Sequence, residues 1–318
     1  MLTRSPSLVL PVDASAGGEA AIAGRRPGGK VLCAVRETAA PGQDVTDQPV
    51  RIRRLTPRIG ADISGLDLSR PLSDEQFRAV QDALMEHQVI FFRDQRLTHE
   101  QHKALGRRFG DLHVHPASTD HPDGHPEVMV IHADATSRWV AGEHWHSDVS
   151  CEEAPPMGSI LYLQEVPPVG GDTLFASMYT AYEALSEPIR HLLEPLTAVH
   201  DGGHYYEGRY GASGRSRDYP RAEHPVVCAH PVTGRRVLFV NRTFTTHIPA
   251  LTPTESHAIL EMLFRHIEKP EFQCRLRWEP GSVAFWDNRC VQHQAIWDYY
   301  PHRRHGYRVT IQGTRPTR

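Results

Sequence analysis

No stretch of this 318-residue chain approaches the roughly 18–20 consecutive apolar residues of a membrane-spanning helix, so no membrane partner is expected. Cysteine is scarce and scattered. Cys33, Cys151, Cys228, Cys274 and Cys290 are odd in number and include no C-x-x-C pair, which argues against a zinc knuckle and against a disulfide framework. A reduced, cytoplasmic protein is the expectation. An excess of either charge is also missing: 35 basic against 38 acidic side chains leave a net charge of −3, giving no electrostatic case for a nucleic-acid partner. There is no internal repeat. The apolar run Leu8-Val9-Leu10 is ended by Pro11 and Asp13, well short of a signal-peptide core.

Histidine, by contrast, is plentiful, at 21 residues. Such abundance invites metal hypotheses and also generates accidental ones.

Residues 1–48 are rich in Ala, Gly, Pro, Ser and Arg and show no period of 2 or 3.6, which predicts a disordered tail. Asp13 and Glu19 weigh against a transit peptide. One folded domain is expected over residues 49–318. Val50 to Leu55 alternates as a strand does, a short strand follows around Ile59 to Ile63, and Val89-Ile90-Phe91-Phe92 reads as a buried strand. Ser73-Asp74-Glu75-Gln76, Thr98-His99-Glu100-Gln101 and Thr252-Pro253-Thr254-Glu255 are capping boxes that open helices, and two short helices are expected after Ser177 and Ser186. Further strands are predicted at 128–131, 160–163, 173–175, 226–227, 237–240, 275–278, 283–286 and 307–311. Many short strands with helices between them point to a mainly β domain, a sandwich or barrel, rather than a βαβ sheet. The Gly-, Arg- and Tyr-rich segment 201–223 lacks apolar periodicity and is a candidate lid.

Three H-x-D triplets occur: His121-Pro122-Asp123, His132-Ala133-Asp134 and His146-Ser147-Asp148. In extended backbone, residues i and i+2 point to one side, so an imidazole and a carboxylate can converge on one point. Completed by a distant histidine, such a pair becomes the two-histidine, one-carboxylate set that suits non-haem Fe(II) oxygen chemistry. Local geometry does not choose between the second and third triplets. His293, His302 and His305 all compete for the distant position, with His293 preferred.

Longer motifs carry more information. Trp145 to Val149, Ala154-Pro155-Pro156-Met157-Gly158-Ser159-Ile160-Leu161, Gly170-Gly171-Asp172-Thr173-Leu174, His224-Pro225-Val226-Val227 with His230-Pro231, Leu238-Phe239-Val240-Asn241, Trp286-Asp287-Asn288-Arg289, Gln292-His293, and Arg303-Arg304 with Arg308 follow one another in order. This succession resembles the taurine / 2-oxoglutarate dioxygenase family over about residues 50–316. The resemblance implies a double-stranded β-helix, or jelly-roll, core with helical insertions. It implies metal ligands at His146, Asp148 and His293, and anchoring of 2-oxoglutarate by Arg304 with the hydroxyl of Thr173. Arg308 and His115 would hold the anionic head of the substrate, with Tyr206 in its pocket. Gly142 and Ser118 stand where the taurine-cleaving members have an asparagine and a tyrosine, which leaves the body of the substrate open.

The activity implied is Fe(II)- and 2-oxoglutarate-dependent hydroxylation, with O₂, of a small organic anion: a sulfonate, an alkyl sulfate or a carboxylate, with taurine-like desulfonation foremost. Succinate and CO₂ would be released. The alternatives are a biosynthetic hydroxylase or desaturase of a carboxylate metabolite and, from another class, a metal-binding jelly-roll module without turnover. The assembly expected is a homo-oligomer, dimer or tetramer.

Overall fold

The computed structural model describes residues 49–117, 120–209 and 219–318; the expectations for residues 1–48, for Ser118 and for the middle of the 201–223 segment lie outside the described residues. The chain begins with the antiparallel pair β1 (Arg51–Arg54) and β2 (Ala61–Ser64). Two helices, α1 (Asp74–His87) and α2 (His99–Arg107), flank β3 (Val89–Phe92). Both start where the capping boxes predict: the Ser73 and Thr98 hydroxyls accept from the amides of Gln76 and Gln101, whose side chains accept from the Ser73 and Thr98 amides in return.

Next come β4 (Leu112–His113), β5 (Val128–Ala133), β6 (Gly158–Glu165) and β7 (Thr173–Ser177), then α3 (Met178–Glu183) and α4 (Glu187–Leu193). Beyond them lie β8 (Thr197–Asp201), α5 (Gly203–Tyr206), β9 (Arg221–Pro225), β10 (Val227–Ala229), β11 (Arg236–Leu238) and β12 (Thr245–His247). After α6 (Pro253–Ile267) the chain closes with β13 (Gln273–Leu276), β14 (Ser282–Asp287), β15 (Val291–Ala295) and β16 (Arg304–Ile311). The Glu255 carboxylate accepts from both the amide and the hydroxyl of Thr252 at the head of α6.

The major sheet runs β1-β2-β3-β14-β6-β16-β4, and β5 also pairs with β16. A second sheet, β13-β7-β15, carries the remaining strand essential to the site. Among the described residues β2 and β3 pair in parallel and the other ladders are antiparallel, so the fold is the expected jelly-roll core with helical insertions and not a βαβ sheet.

The unbroken apolar runs of β3, β6 and β14 follow from burial on both faces. Val89, Phe91, Leu161, Leu163, Ala284 and Trp286 point into a core shared with Phe175 of β7 and Val291 of β15. The alternate residues Ile90, Phe92, Ile160, Tyr162, Val283 and Phe285 pack against Val80 and Leu84 of α1 and Leu105 of α2. The major sheet is thus clamped between the helices and the second sheet. Strands β4, β8, β9, β12 and β15 arise where the sequence reading expected none, β9 starting within the segment read as a candidate lid.

Candidate metal centre

His146 and His293 are far apart in sequence and directly opposed in space. The His146 amide donates to the His293 carbonyl at 3.1 Å and the His293 amide donates back at 2.8 Å. A residue pair that exchanges both backbone bonds carries its side chains on one face, and the two imidazole centroids are 4.1 Å apart. Asp148 joins them, with Oδ1 at 3.5 Å from His146 Nε2 and 3.9 Å from His293 Nε2. All three are buried, and their donor atoms lie within 4.8 Å of one another. Immediately after Asp148 the chain reverses at Val149, whose φ of 48° lies in the left-handed region that a β-branched residue rarely adopts.

The protonation pattern suits a cation. His146 Nδ1 is 2.7 Å from the His144 carbonyl and donates to it, which leaves the Nε2 lone pair facing Asp148. Burial and the neighbouring His146 hold His293 well below the usual imidazole range, so it is a neutral ligand. Burial works against ionisation of Asp148, but Arg308 and His293 outweigh it and keep the carboxyl well below its ordinary value. Two imidazoles and one carboxylate converging on one point are the ligand set that fits an Fe(II) ion.

Arg304 and Arg308 both lie on β16, four residues apart, and both are buried. Among the described residues Arg304 has no acidic partner: its Nε and Nη2 are buried without a hydrogen bond, and its guanidinium sits 5.5 Å from the ring centre of Trp278. Burial lowers its pKa against the opposing pull of Tyr299 and Asp172, while Asp172 itself is held by Arg275 at 2.6 Å. Trp278 Nε1 donates to Thr173 Oγ1 at 2.9 Å, so the threonine hydroxyl keeps its own proton to give elsewhere. A buried cation with two spare donors calls for an anionic ligand.

Arg308 is engaged differently. Its Nη1 donates to Asp148 Oδ1 at 2.7 Å, and its buried Nε is unpartnered. His115 is held down to about 3 by burial and by Arg308, and its Nδ1 accepts from the Ala117 amide at 3.2 Å, so the ring is neutral. Tyr206, buried in α5, meets His115 edge-on at 5.4 Å and packs against Phe244. Of the predicted site residues, His146, His293 and Arg308 meet at the Asp148 carboxylate, Arg304 and Thr173 meet through Trp278, and Tyr206 meets His115.

The taurine catabolism dioxygenase TauD, TfdA family model matches residues 51–310. The chain belongs to that family. It is 35% identical to the alpha-ketoglutarate-dependent sulfonate dioxygenase of Saccharomyces cerevisiae over 285 residues, 84% of this chain and 68% of that protein. It is 34% identical to the alkylsulfatase of Acinetobacter baylyi, covering 84% of this chain and 86% of that one. A taurine dioxygenase structure from Burkholderia xenovorans superposes with a TM-score of 0.73 at 39% identity, over 84% of this chain and 92% of the other.

Within this TauD/TfdA chain the rival histidines go elsewhere. His132 bonds its own Asp134, at 3.2 Å, and lies across the ladder from His305, ring to ring at 5.4 Å. One other cluster of potential ligands, His230, Asp287 and Cys290, is present among the described residues. There Asp287 is already held by Arg289 and by His230 at 3.0 Å, and burial pushes the Cys290 thiol far up, so the group is internally satisfied. A cavity of about 270 Å³ touches Asn288 and Arg289 but none of His146, Asp148, His293, Arg304 or Arg308.

Gly142 has a backbone reason of its own: its φ is 81° and a Cβ there would stand 3.0 Å from His146 Cε1. Glycine is required here by the backbone and by the ligand ring. Trp278, Ser159 and Asn288, which touch Thr173 and Asp148, had not been singled out for their own roles.

Proposed function

We propose that this protein is an Fe(II)- and 2-oxoglutarate-dependent dioxygenase that hydroxylates a small organic anion, with sulfonates and alkyl sulfates the leading substrates. His146, Asp148 and His293 hold the iron. Bound iron with O₂ and 2-oxoglutarate supplies the oxidising power for C–H hydroxylation, the cosubstrate leaving as succinate and CO₂. Arg304 takes the far carboxylate of 2-oxoglutarate in a two-point hydrogen bond, and the Thr173 hydroxyl adds a third donor. Arg308 and His115 hold the anionic head of the substrate, and Tyr206 walls its body. Hydroxylation of the carbon that bears sulfur or the ester oxygen leaves an unstable product that collapses to an aldehyde with loss of sulfite or sulfate.

The observation that carries the reading is Arg304: a buried guanidinium with two unpartnered donors, 5.5 Å from the ring of Trp278, which itself donates to the Thr173 hydroxyl. A metal-binding module without turnover has no use for it. The similarity of the chain to a sulfonate dioxygenase and to an alkylsulfatase supports the choice of anion. Succinate release across a panel of sulfonates, alkyl sulfates and carboxylates tests the proposal. Turnover confined to carboxylates would replace it with a carboxylate hydroxylase or desaturase. A cytoplasmic homo-oligomer belongs to the same reading, and sedimentation velocity of the native chain checks the assembly.

A further inference from the structure

Asp148 has two carboxylate oxygens and they are treated differently. Oδ1 faces His146 Nε2, His293 Nε2 and Arg308 Nη1, at 3.5, 3.9 and 2.7 Å. Oδ2 instead accepts from Ser159 Oγ at 2.7 Å. Ser159 is fully buried on β6, and a serine hydroxyl has one proton to give. Two other groups reach the same oxygen: Asn288 Nδ2 at 3.2 Å and the Thr310 hydroxyl at 3.4 Å.

Asn288 decides where the Ser159 proton goes. Its Oδ1 accepts from Trp286 Nε1 at 2.9 Å, and because an indole N–H can only donate, that contact fixes which end of the amide is oxygen. Its NH₂ end therefore faces Ser159 and occupies a lone pair of the hydroxyl, so the hydroxyl proton turns to Asp148 Oδ2. The same Oδ1 accepts from the Asp148 amide at 3.3 Å, and the Asn288 carbonyl accepts from Ser147 Oγ at 2.6 Å. One asparagine thus grips the His146-Ser147-Asp148 segment at the backbone and, through Ser159, at the side chain.

We propose that Ser159 and Asn288 are positioning residues that restrict Asp148 to one-oxygen coordination. The inference rests on the reading of His146, Asp148 and His293 as iron ligands. A carboxylate with both oxygens free is able to chelate a cation through both. Here the second oxygen would take a position that the cosubstrate or O₂ needs. Tying Oδ2 to a buried hydroxyl withholds it.

The test uses the full-length protein, anaerobic, with Co(II) as the probe ion. Ser159→Ala removes the donor; Asn288→Asp offers the Ser159 proton a competing carboxylate. Both variants are expected to keep one Co(II) per chain, to change its visible ligand-field spectrum, and to weaken 2-oxoglutarate binding by on the order of tenfold. A crystal structure of each Co(II) form should show Asp148 bound through Oδ1 alone in the native chain and through both oxygens in Ser159→Ala. Native spectra and native 2-oxoglutarate affinity in both variants would overturn the proposal. So would two-oxygen coordination in the native chain, or losses of Co(II), cosubstrate and thermal stability that move together. Failure of the underlying site looks different: Co(II) would be retained by Asp148→Ala, and the ligand assignment would then fall with the clamp.

Discussion

Replacing Arg304 with methionine should make the cosubstrate-free protein more stable and nearly blind to 2-oxoglutarate. The guanidinium is buried at 5% exposure, and two of its donors have no partner. Exchange of a buried charge for a well-packed apolar side chain of similar length typically gains about 1–4 kcal/mol. The contact with Trp278 that would be lost is worth about 0.5–2 kcal/mol, so the balance favours the variant when the charge is otherwise unpaired. Binding should suffer in the opposite sense. Removing one partner of a buried charge pair costs roughly 3–5 kcal/mol, which at about 1.4 kcal/mol per decade is a loss of two to three decades or more in affinity.

Scanning calorimetry of the anaerobic, metal-loaded protein with and without 2-oxoglutarate measures both effects. At a ligand concentration of about 100 Kd the native protein should gain roughly 2.7 kcal/mol, and the variant almost nothing at that concentration. A variant that is less stable than the native protein without ligand, yet shifts by the same amount with it, would refute the reasoning. Arg304 would then be a structural cation whose partner is supplied by the fold.

His146→Ala and Asp148→Ala should each abolish 2-oxoglutarate-dependent succinate formation, whereas His132→Ala should leave it unchanged; a dead His132 variant would mean that the wrong triplet was assigned. Arg308→Ala should raise the substrate KM by about one to two decades, as expected for loss of a charge-assisted contact, and release succinate without product, with 2-oxoglutarate affinity largely kept. Equal loss of both affinities would reject the division of labour between the two arginines. The metal-free protein should lose stability as pH falls from 6.5 towards 4. Burial lowers His102 to about 4 and His200 to about 3, so the unfolded chain binds the extra protons in this window and the stability present above it is lost on acidification. At pH 5 each should cost roughly 2 kcal/mol, read as a lower urea midpoint; a midpoint independent of pH over that range would contradict it.

The helices were legible because their ends are chemical. Ser73, Thr98 and Thr252 each start a helix with a local partner three residues on. The inner strands were legible as apolar runs. Strand β15 was not, because Val291-Gln292-His293-Gln294-Ala295 is buried on both faces with polar residues on each: Gln292 donates to the Val240 carbonyl on one side and His293 faces Asp148 on the other. Polar residues that are satisfied only in the folded state carry no apolar period. For the same reason His146-Ser147-Asp148 and His132-Ala133-Asp134 look alike in sequence, and only the long-range pairing of His146 with His293 separates them. Ser159 stood out only as a member of the Ala154 to Leu161 motif, just ahead of the strand expected at 160–163. Its role depends on Asn288, a residue distant in sequence that lies in the turn after β14.

The two backbone hydrogen bonds between His146 and His293 make a hinge pin. Everything between them, including β6 to β14, leaves from and returns to that one joint. The spacing of the two imidazoles is therefore independent of how long the intervening excursions are, and turns such as the one carrying exposed Val169 can be lengthened without moving either ligand. Such a layout separates two evolutionary variables: loop changes can remodel what enters the site while the iron position stays put.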